Sequence, residues 1–291
     1  MHWQSALRRF LIPSLLLLAL VKLYPLGLSV YLSFFDYYLP EPERRAFIGF
    51  GNYGALLSEG RFWGAFANTL IIAAAALALE FAVGLAVALG LYRLPVGAAR
   101  VLTVLIFLPN IVTPVVAGLF LRWMFASQWG LIAMSFALLG IPPVDWLGNP
   151  AWAKITIALA DSWQQIPFVV LVLYAGLQGL DRDTIEAAVI DGASGWKLLW
   201  YVILPALRPV ILFVLTIRIM DLFRLFDAIY VLTGGGPGTA TETLTFYTYR
   251  LAFQFLEIGK GSALGVLTMI VITASIGGLI LLLYRRERGA F

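Results

Sequence analysis

The chain of 291 residues has no cysteine and one histidine, His2. Thiolate catalysis, disulfides, zinc centres built on Cys or His and bis-histidine haem ligation therefore have no residues to use. Most redox and metal enzymes are excluded on that ground. Charge is scarce as well: Asp, Glu, Lys and Arg are 12% of the residues, against about a quarter in a soluble domain, too few to cover a water-facing surface. A phosphate-binding loop of the form Gly-x-x-x-x-Gly-Lys-[Ser/Thr] is missing too. The nearest fragment, Gly259-Lys260-Gly261, has neither the first glycine at the right offset nor the hydroxyl, so this chain cannot hydrolyse ATP by that route.

What is present is apolar. Hydrophobic residues are 61% of the chain, and the mean hydropathy is +0.91. A bilayer core needs about 20 apolar residues in a helix, and six stretches qualify, at 10–35, 63–92, 101–125, 153–179, 205–232 and 262–284. The first follows Arg8 and Arg9, as a signal peptide would, but it runs too long and no small-residue cleavage site follows; it reads as an uncleaved helix bent at Pro25. The fifth is the weakest by hydropathy, because Arg208, Arg218, Asp221, Arg224 and Asp227 lie at its start or within it.

The net charge of +4 does not point to nucleic acid, since basic excess in a membrane protein reflects Lys and Arg held on the cytoplasmic side. With the N-terminus inside, segments 1–9, 92–100, 179–208 and 285–291 hold ten basic residues in 55 positions. The loops 36–62, 122–154 and 232–262 hold seven in 91. That asymmetry, with Arg285, Arg286 and Arg288 closing the last helix, places both termini in the cytoplasm. The fold class read from these patterns is an all-α integral membrane protein of six transmembrane helices. Its third outer loop, 233–261, opens on Thr233-Gly234-Gly235-Gly236-Pro237-Gly238 and is rich in aromatics, which suits a partner docking at the outer face.

The segment 181–204 joins spans four and five on the cytoplasmic side. Asp183 with Glu186 has the spacing of an N-cap and its reciprocal partner, Ala187 and Ala188 give a small face, and Gly192 can take the left-handed conformation that ends a helix. Ser194 can cap a second helix carrying Trp196, Leu199 and Trp200. A compact helical hairpin is expected; on geometry alone it could be an ordinary amphipathic connector.

The residue spacing adds to that. Glu186-Ala187-Ala188, then Gly192, then Val202, Leu204 and Pro205 resembles the EAA loop of membrane subunits of bacterial binding-protein-dependent ABC importers, with Val202 where that family has Ile. Phe226-Asp227-Ala228-Ile229-Tyr230-Val231-Leu232 running into the glycine-rich segment, with Thr241-Glu242-Thr243 and Ala252-Phe253, resembles the carbohydrate-uptake permeases of the maltose and glycerol-phosphate type. The large outer insertion of some maltose-type permeases is missing from the loop after the first span.

The resemblance implies the transmembrane domain of a type I importer working by alternating access, in a bacterial or archaeal cytoplasmic membrane. It implies no cofactor in this chain, with ATP and Mg on a separate ATPase present in two copies. The further partners it implies are a second homologous permease, an extracytoplasmic substrate-binding protein and a sugar substrate. Carried over residue by residue, Glu186, Ala187, Ala188, Asp191 and Gly192 are the ATPase-coupling residues.

Charges inside spans need partners or an aqueous cavity, because each costs about 2.5–3.5 kcal/mol at a helix centre on insertion scales. Arg218, Asp221, Arg224 and Asp227 follow at i,i+3 spacing with alternating sign, so neighbours on one helix can pair. Successive steps drift around the helix by about 60°, so Arg218 and Asp227 point to nearly opposite faces and all four cannot line one pore. The ladder reads either as a structural seam or as part of the path, with Asp221 and Arg224 the residues placed on the path. Asp161, Trp163, Gln164 and Gln165 before Pro167, and Asn110 between Pro109 and Pro114, add polar groups near helix breaks, which often line cavities. Of these, Asn110, Gln164 and Gln165 join Asp221 and Arg224 as substrate-path candidates. Glu80 and Lys22 read as packing residues that find partners, Lys22 alternatively reaching an interface.

Two rival readings stand beside the importer subunit. One is an ion-gradient-driven secondary transporter or channel of six helices using the span-five ladder. The other is an intramembrane enzyme using Asp161 with Asp221 or Asp227 as a carboxylate pair.

Overall fold

The computed structural model describes residues 11–288, apart from the side chains of Arg182 and of residues 282–288. Arg8, Arg9 and the closing basic cluster Arg285, Arg286 and Arg288 therefore lie, wholly or in their side chains, outside the described residues. The chain divides into two compact units, one of Met1–Trp63 with Leu244–Val271 and one of Gly64–Thr243 with Ile272–Phe291.

In chain order the elements are α1 (Leu11–Leu32), the two-residue strands β1 (Phe35–Asp36) and β2 (Ala46–Phe47), α2 (Gly51–Ser58) and α3 (Gly60–Tyr92). Then come α4 (Val96–Ile111), α5 (Pro114–Met124), α6 (Leu131–Leu138), α7 (Pro150–Gln178) and α8 (Arg182–Ile190). The last are α9 (Trp196–Ala206), α10 (Arg208–Phe223), α11 (Asp227–Leu232), α12 (Leu244–Tyr249) and α13 (Ile258–Arg288). Four described helices, α1, α3, α7 and α13, are long and apolar enough to cross a membrane; six crossings result if the bent pairs α4–α5 and α9–α10 each count as one. The spans expected at 101–125 and 205–232 are thus not straight. At the first break Thr113, forced by the following Pro114 toward extended backbone, has ψ 141°, and the two helices meet at 89°. At the second, Pro209 removes an amide at the start of α10 and the bend is 70°.

The first unit departs from an all-α reading. Its short ribbon pairs Phe35 with Phe47, rings 5.4 Å apart, with the Arg45 guanidinium 4.5 Å over Phe35. Asn52 on α2 donates to the carbonyls of Ser33 and Phe35 at 2.9 and 2.8 Å, so buried backbone acceptors at the end of α1 are satisfied. Gly259 is required there, since a Cβ would lie 2.0 Å from the Phe35 oxygen. Pro25 is accommodated by a π-turn over Ala19–Leu23 rather than a break. Lys22 makes no described ion pair, and the apolar surface of α1 is exposed, as a lipid-facing helix requires.

The second unit has its core where α3, α7, α9 and α10 meet, around Ala88, Val169, Leu173, Leu177, Ile203, Leu207 and Val214. Gly84 lets α3 approach α7: a Cβ there would sit 2.7 Å from Val169 Cγ1. At Gly90, Gly277 and Gly278 a Cβ would meet nothing within 4 Å. Ala73 and Ala76 pack on Ala158 and Leu222.

Within this core lies a buried ionic cluster. Arg218 on α10 donates from Nε and Nη2 to the two Glu80 oxygens of α3 at 2.7 and 2.8 Å, and Nη2 also bonds Asp161 of α7. Arg218 and Glu80 are fully buried. Apolar helices have little reason to prefer one rotation over another in lipid, whereas a bidentate guanidinium–carboxylate pair fixes both register and rotation.

Two outcomes follow. Arg218→Met leaves two carboxylates buried without their cation, so the purified chain should lose about 3–5 kcal/mol, read as a fall in the tryptophan-monitored unfolding midpoint; Arg218→Met with Glu80→Leu and Asp161→Asn should recover most of it. Gly84→Val should lower the midpoint through overpacking by about 1–3 kcal/mol, whereas Gly90→Ala should leave it in place.

Candidate functional site

The apolar stretch expected at 205–232 is interrupted a second time, and this interruption makes a site. Helix α10 ends at Arg224 (φ −99°, ψ 7°), Phe226 leaves helical backbone (φ −129°, ψ −55°), and α11 starts at Asp227. The far end of α11 is held by α5: Arg122 donates to the Val231 carbonyl at 3.0 Å, satisfying a helix-end acceptor, and Gly118 leaves room for Val231, since a Cβ there would lie 3.1 Å from the valine side chain.

Around the break is a cavity of about 330 Å³, lined by Asp161, Gln164 and Gln165 of α7, Pro114 of α5, and Arg218, Asp221, Arg224 and Leu225–Ala228. All four members of the charged ladder reach it. The expectation that they could not share a pore assumed one continuous helix; the break after Phe223 resets the angular phase before Asp227. Arg218 acts as seam and lining at once, since its Nε and Nη2 hold Glu80 and Asp161 while Nη1 has no hydrogen-bond partner and lies 3.5 Å from Asp221. Asp221 is half exposed to the cavity, and Arg224 and Asp227 make no described ion pair. The expected pairing along one helix is therefore limited to Arg218 and Asp221. Glu80 is a packing partner, as expected.

Four of the five path candidates, Asp221, Arg224, Gln164 and Gln165, line this cavity. Asn110 does not: its side chain donates to the Gln164 carbonyl at 3.0 Å, while Gln164 Nε2 donates to the carbonyl of Val112. These reciprocal bonds tie α7 to the α4–α5 break and satisfy a carbonyl that the break would orphan. Trp163 is outside the lining too. Pro114, Phe226 and Ala228 were missed by sequence reasoning; the signal for them is the clustering of helix breakers and charge around 224–227, read as a break rather than as a span.

The 181–204 segment folds as a helical hairpin with two local differences. The N-cap of α8 is Asp181, not Asp183: its carboxylate accepts from the Asp183 amide at 3.2 Å and from the Thr184 hydroxyl at 3.0 Å, which adds residues to the first turn. Ser194 caps nothing with its side chain; the turn into α9 is made by Gly195 at φ 52°. Gly192 does end α8, at φ 88°, with Ala193 N–H bonded to the Ala188 carbonyl at 2.9 Å and Gly192 N–H to Val189 at 3.0 Å, the paired bonds of a Schellman motif. Glu186, Ala187 and Asp191 are exposed and Ala188 is half-buried. Ile190 is 85% exposed and Trp196 70%, a large apolar surface for a segment between two spans.

The segment after α11 is internally bonded. Thr241, Glu242 and Thr243 are buried, Thr241 Oγ1 bonds Thr233 and the Gly236 carbonyl at 2.8 and 2.7 Å, and Asn68 of α3 donates to the carbonyls of Thr239 and Glu242. That half of the loop is built to hold its own shape. In the first unit, Glu59 accepts from Tyr247 and Lys260; partial burial pushes its carboxyl up, but these bonds hold it below the ordinary value.

Comparison with known proteins accords with this architecture. Residues 100–289 match the family described as binding-protein-dependent transport system inner membrane component. The trehalose/maltose transport system permease of Thermococcus litoralis is 37% identical over 238 residues, covering 81% of this chain and 78% of that protein. The sulfoquinovosyl glycerol permease of Agrobacterium fabrum is 35% identical over 256 residues, 88% and 83% of the two chains. A chain of a bacterial ABC transporter that imports the acidic polysaccharide alginate shares the fold, with a TM-score of 0.81 at 20% identity over 98% and 99% of the chains. The ion-gradient and enzymatic readings fall with this. The chain belongs to the binding-protein-dependent transport system inner membrane component family, and is a multi-pass permease subunit of an ABC importer whose ATP hydrolysis is carried by a separate subunit.

Proposed function

We propose that the cargo is a sugar or oligosaccharide and that it passes the cavity at the α10–α11 break. The observation that carries this is a polar, solvent-open cavity lined by Asp221, Arg224, Gln164 and Gln165 within helices otherwise apolar enough to cross a membrane. Carboxylates accept from sugar hydroxyls while arginine and amide groups donate to them, and charges at this depth are maintained only where water or a ligand meets them.

In the same reading the chain crosses six times, each bent pair being one span, with both termini cytoplasmic. What supports the orientation is the density of Lys and Arg in segments 1–9, 92–100, 179–208 and 285–291. A second homologous permease completes the pathway, and two copies of an ATPase holding ATP and Mg work beneath the pair. The 181–204 hairpin is the joint. Glu186, Ala187, Ala188, Asp191 and Gly192 form its contact with the ATPase, supported by the exposure of Glu186, Ala187 and Asp191 and by apolar Ile190 beside them. ATP binding closes the ATPases, the hairpin carries that motion through α9 into α10, and the cavity faces the outer binding protein; hydrolysis returns it inward.

Two measurements test this. Glu186→Ala removes the charge at the joint, and Gly192→Pro demands φ near −65° where the backbone stands at 88°. Each should abolish copurification with a P-loop ATPase in detergent, and uptake at full rate in both variants would show that the hairpin is not the joint. Asp221→Asn should reduce substrate-stimulated ATPase activity at least tenfold with the complex still assembled; loss of assembly instead would make Asp221 a structural residue.

A further inference from the structure

The cavity holds more negative than positive charge. Of its two arginines, Arg218 is committed to Glu80 through two hydrogen bonds, a neutral pair, and also holds Asp161. Among the described residues of the lining, Asp161, Asp221 and Asp227 then stand against Arg224, which makes no described ion pair. Three carboxylates against one arginine leave two negative charges. An anionic ligand would give up hydration to enter a site of its own sign, where repulsion is less screened than in water.

The same groups suit an uncharged polyol. Carboxylates only accept, whereas guanidinium and amide N–H groups donate, and a hydroxyl answers both. Arg218, a lining residue, keeps Nη1 without a hydrogen-bond partner and 3.5 Å from Asp221. Phe226, stacked on Tyr230 at 5.5 Å, adds an apolar face for ring C–H groups. The volume of about 330 Å³ is at the lower end of small-molecule sites, about 300–1,000 Å³.

We propose that this cavity selects neutral sugars and discriminates against carboxylated, sulfonated or phosphorylated ones. The inference rests on the cavity lying on the substrate path. It puts this chain with the trehalose/maltose permease rather than with the chains whose names state a sulfonated glycoside or an acidic polysaccharide.

The test uses the assembled importer in lipid nanodiscs without its binding protein, so that selection comes from the membrane part. It is dialysed against an equimolar pool of neutral and uronic-acid oligosaccharides of two to four rings, and the retained fraction is read by mass spectrometry. Neutral members should be enriched at least tenfold, and Asp227→Asn should narrow that preference at least threefold. Equal or preferred retention of acidic members, with retention lost in Asp221→Asn, would overturn charge selection while leaving the path in place. No retention by any form, or retention indifferent to Asp221→Asn and Gln165→Ala, would remove the path and the selectivity together.

Discussion

A charge placed among apolar helices must be matched across the bundle, and Arg218 is where this chain meets that requirement. Its guanidinium bonds two carboxylates carried by two other helices. Lipid offers these helices no hydrophobic reason to associate in one rotation over another, so directional bonds do that work. Because Glu80 and Asp161 take two of the guanidinium nitrogens, the third is turned toward Asp221 and the cavity. One residue thus sets both the packing of α3, α7 and α10 and the electrostatic character of the space beside them.

The breaks in the helices are the second element. A continuous helix over 208–232 would spread its charges around a cylinder; the interruption at Arg224–Phe226 brings them to one side. The backbone groups released by the breaks are taken up by side chains, Gln164 on Val112 and Arg122 on Val231. Irregular backbone at membrane depth is tolerated where protein or a cavity satisfies it in this way.

The positions of the apolar stretches, the helical hairpin over 181–204 and the helix-ending role of Gly192 were legible in the sequence, because each rests on local rules of length, periodicity and backbone conformation. The ionic cluster was not, since its members are 138 and 57 residues apart and no spacing connects them. A signal was nevertheless available: Glu80 and Asp161 are lone acids in their spans and need a cation. The face argument for the ladder failed because it carried one helical phase through a break that hydropathy does not register. Asn110 lies outside the cavity lining for a related reason, as a polar group near two prolines can serve the break itself.

The missing cysteine that excludes so much chemistry also makes the path measurable. Single cysteines at Gln165 and Ala228, both in the cavity lining, would be the only thiols in the chain. In the assembled importer, their labelling by a charged, membrane-impermeant thiol reagent should differ at least tenfold between the nucleotide-free and ATP-trapped states, and transported sugar should slow it. Labelling at both positions that is indifferent to nucleotide and to sugar would contradict a cavity that opens and closes on the substrate path.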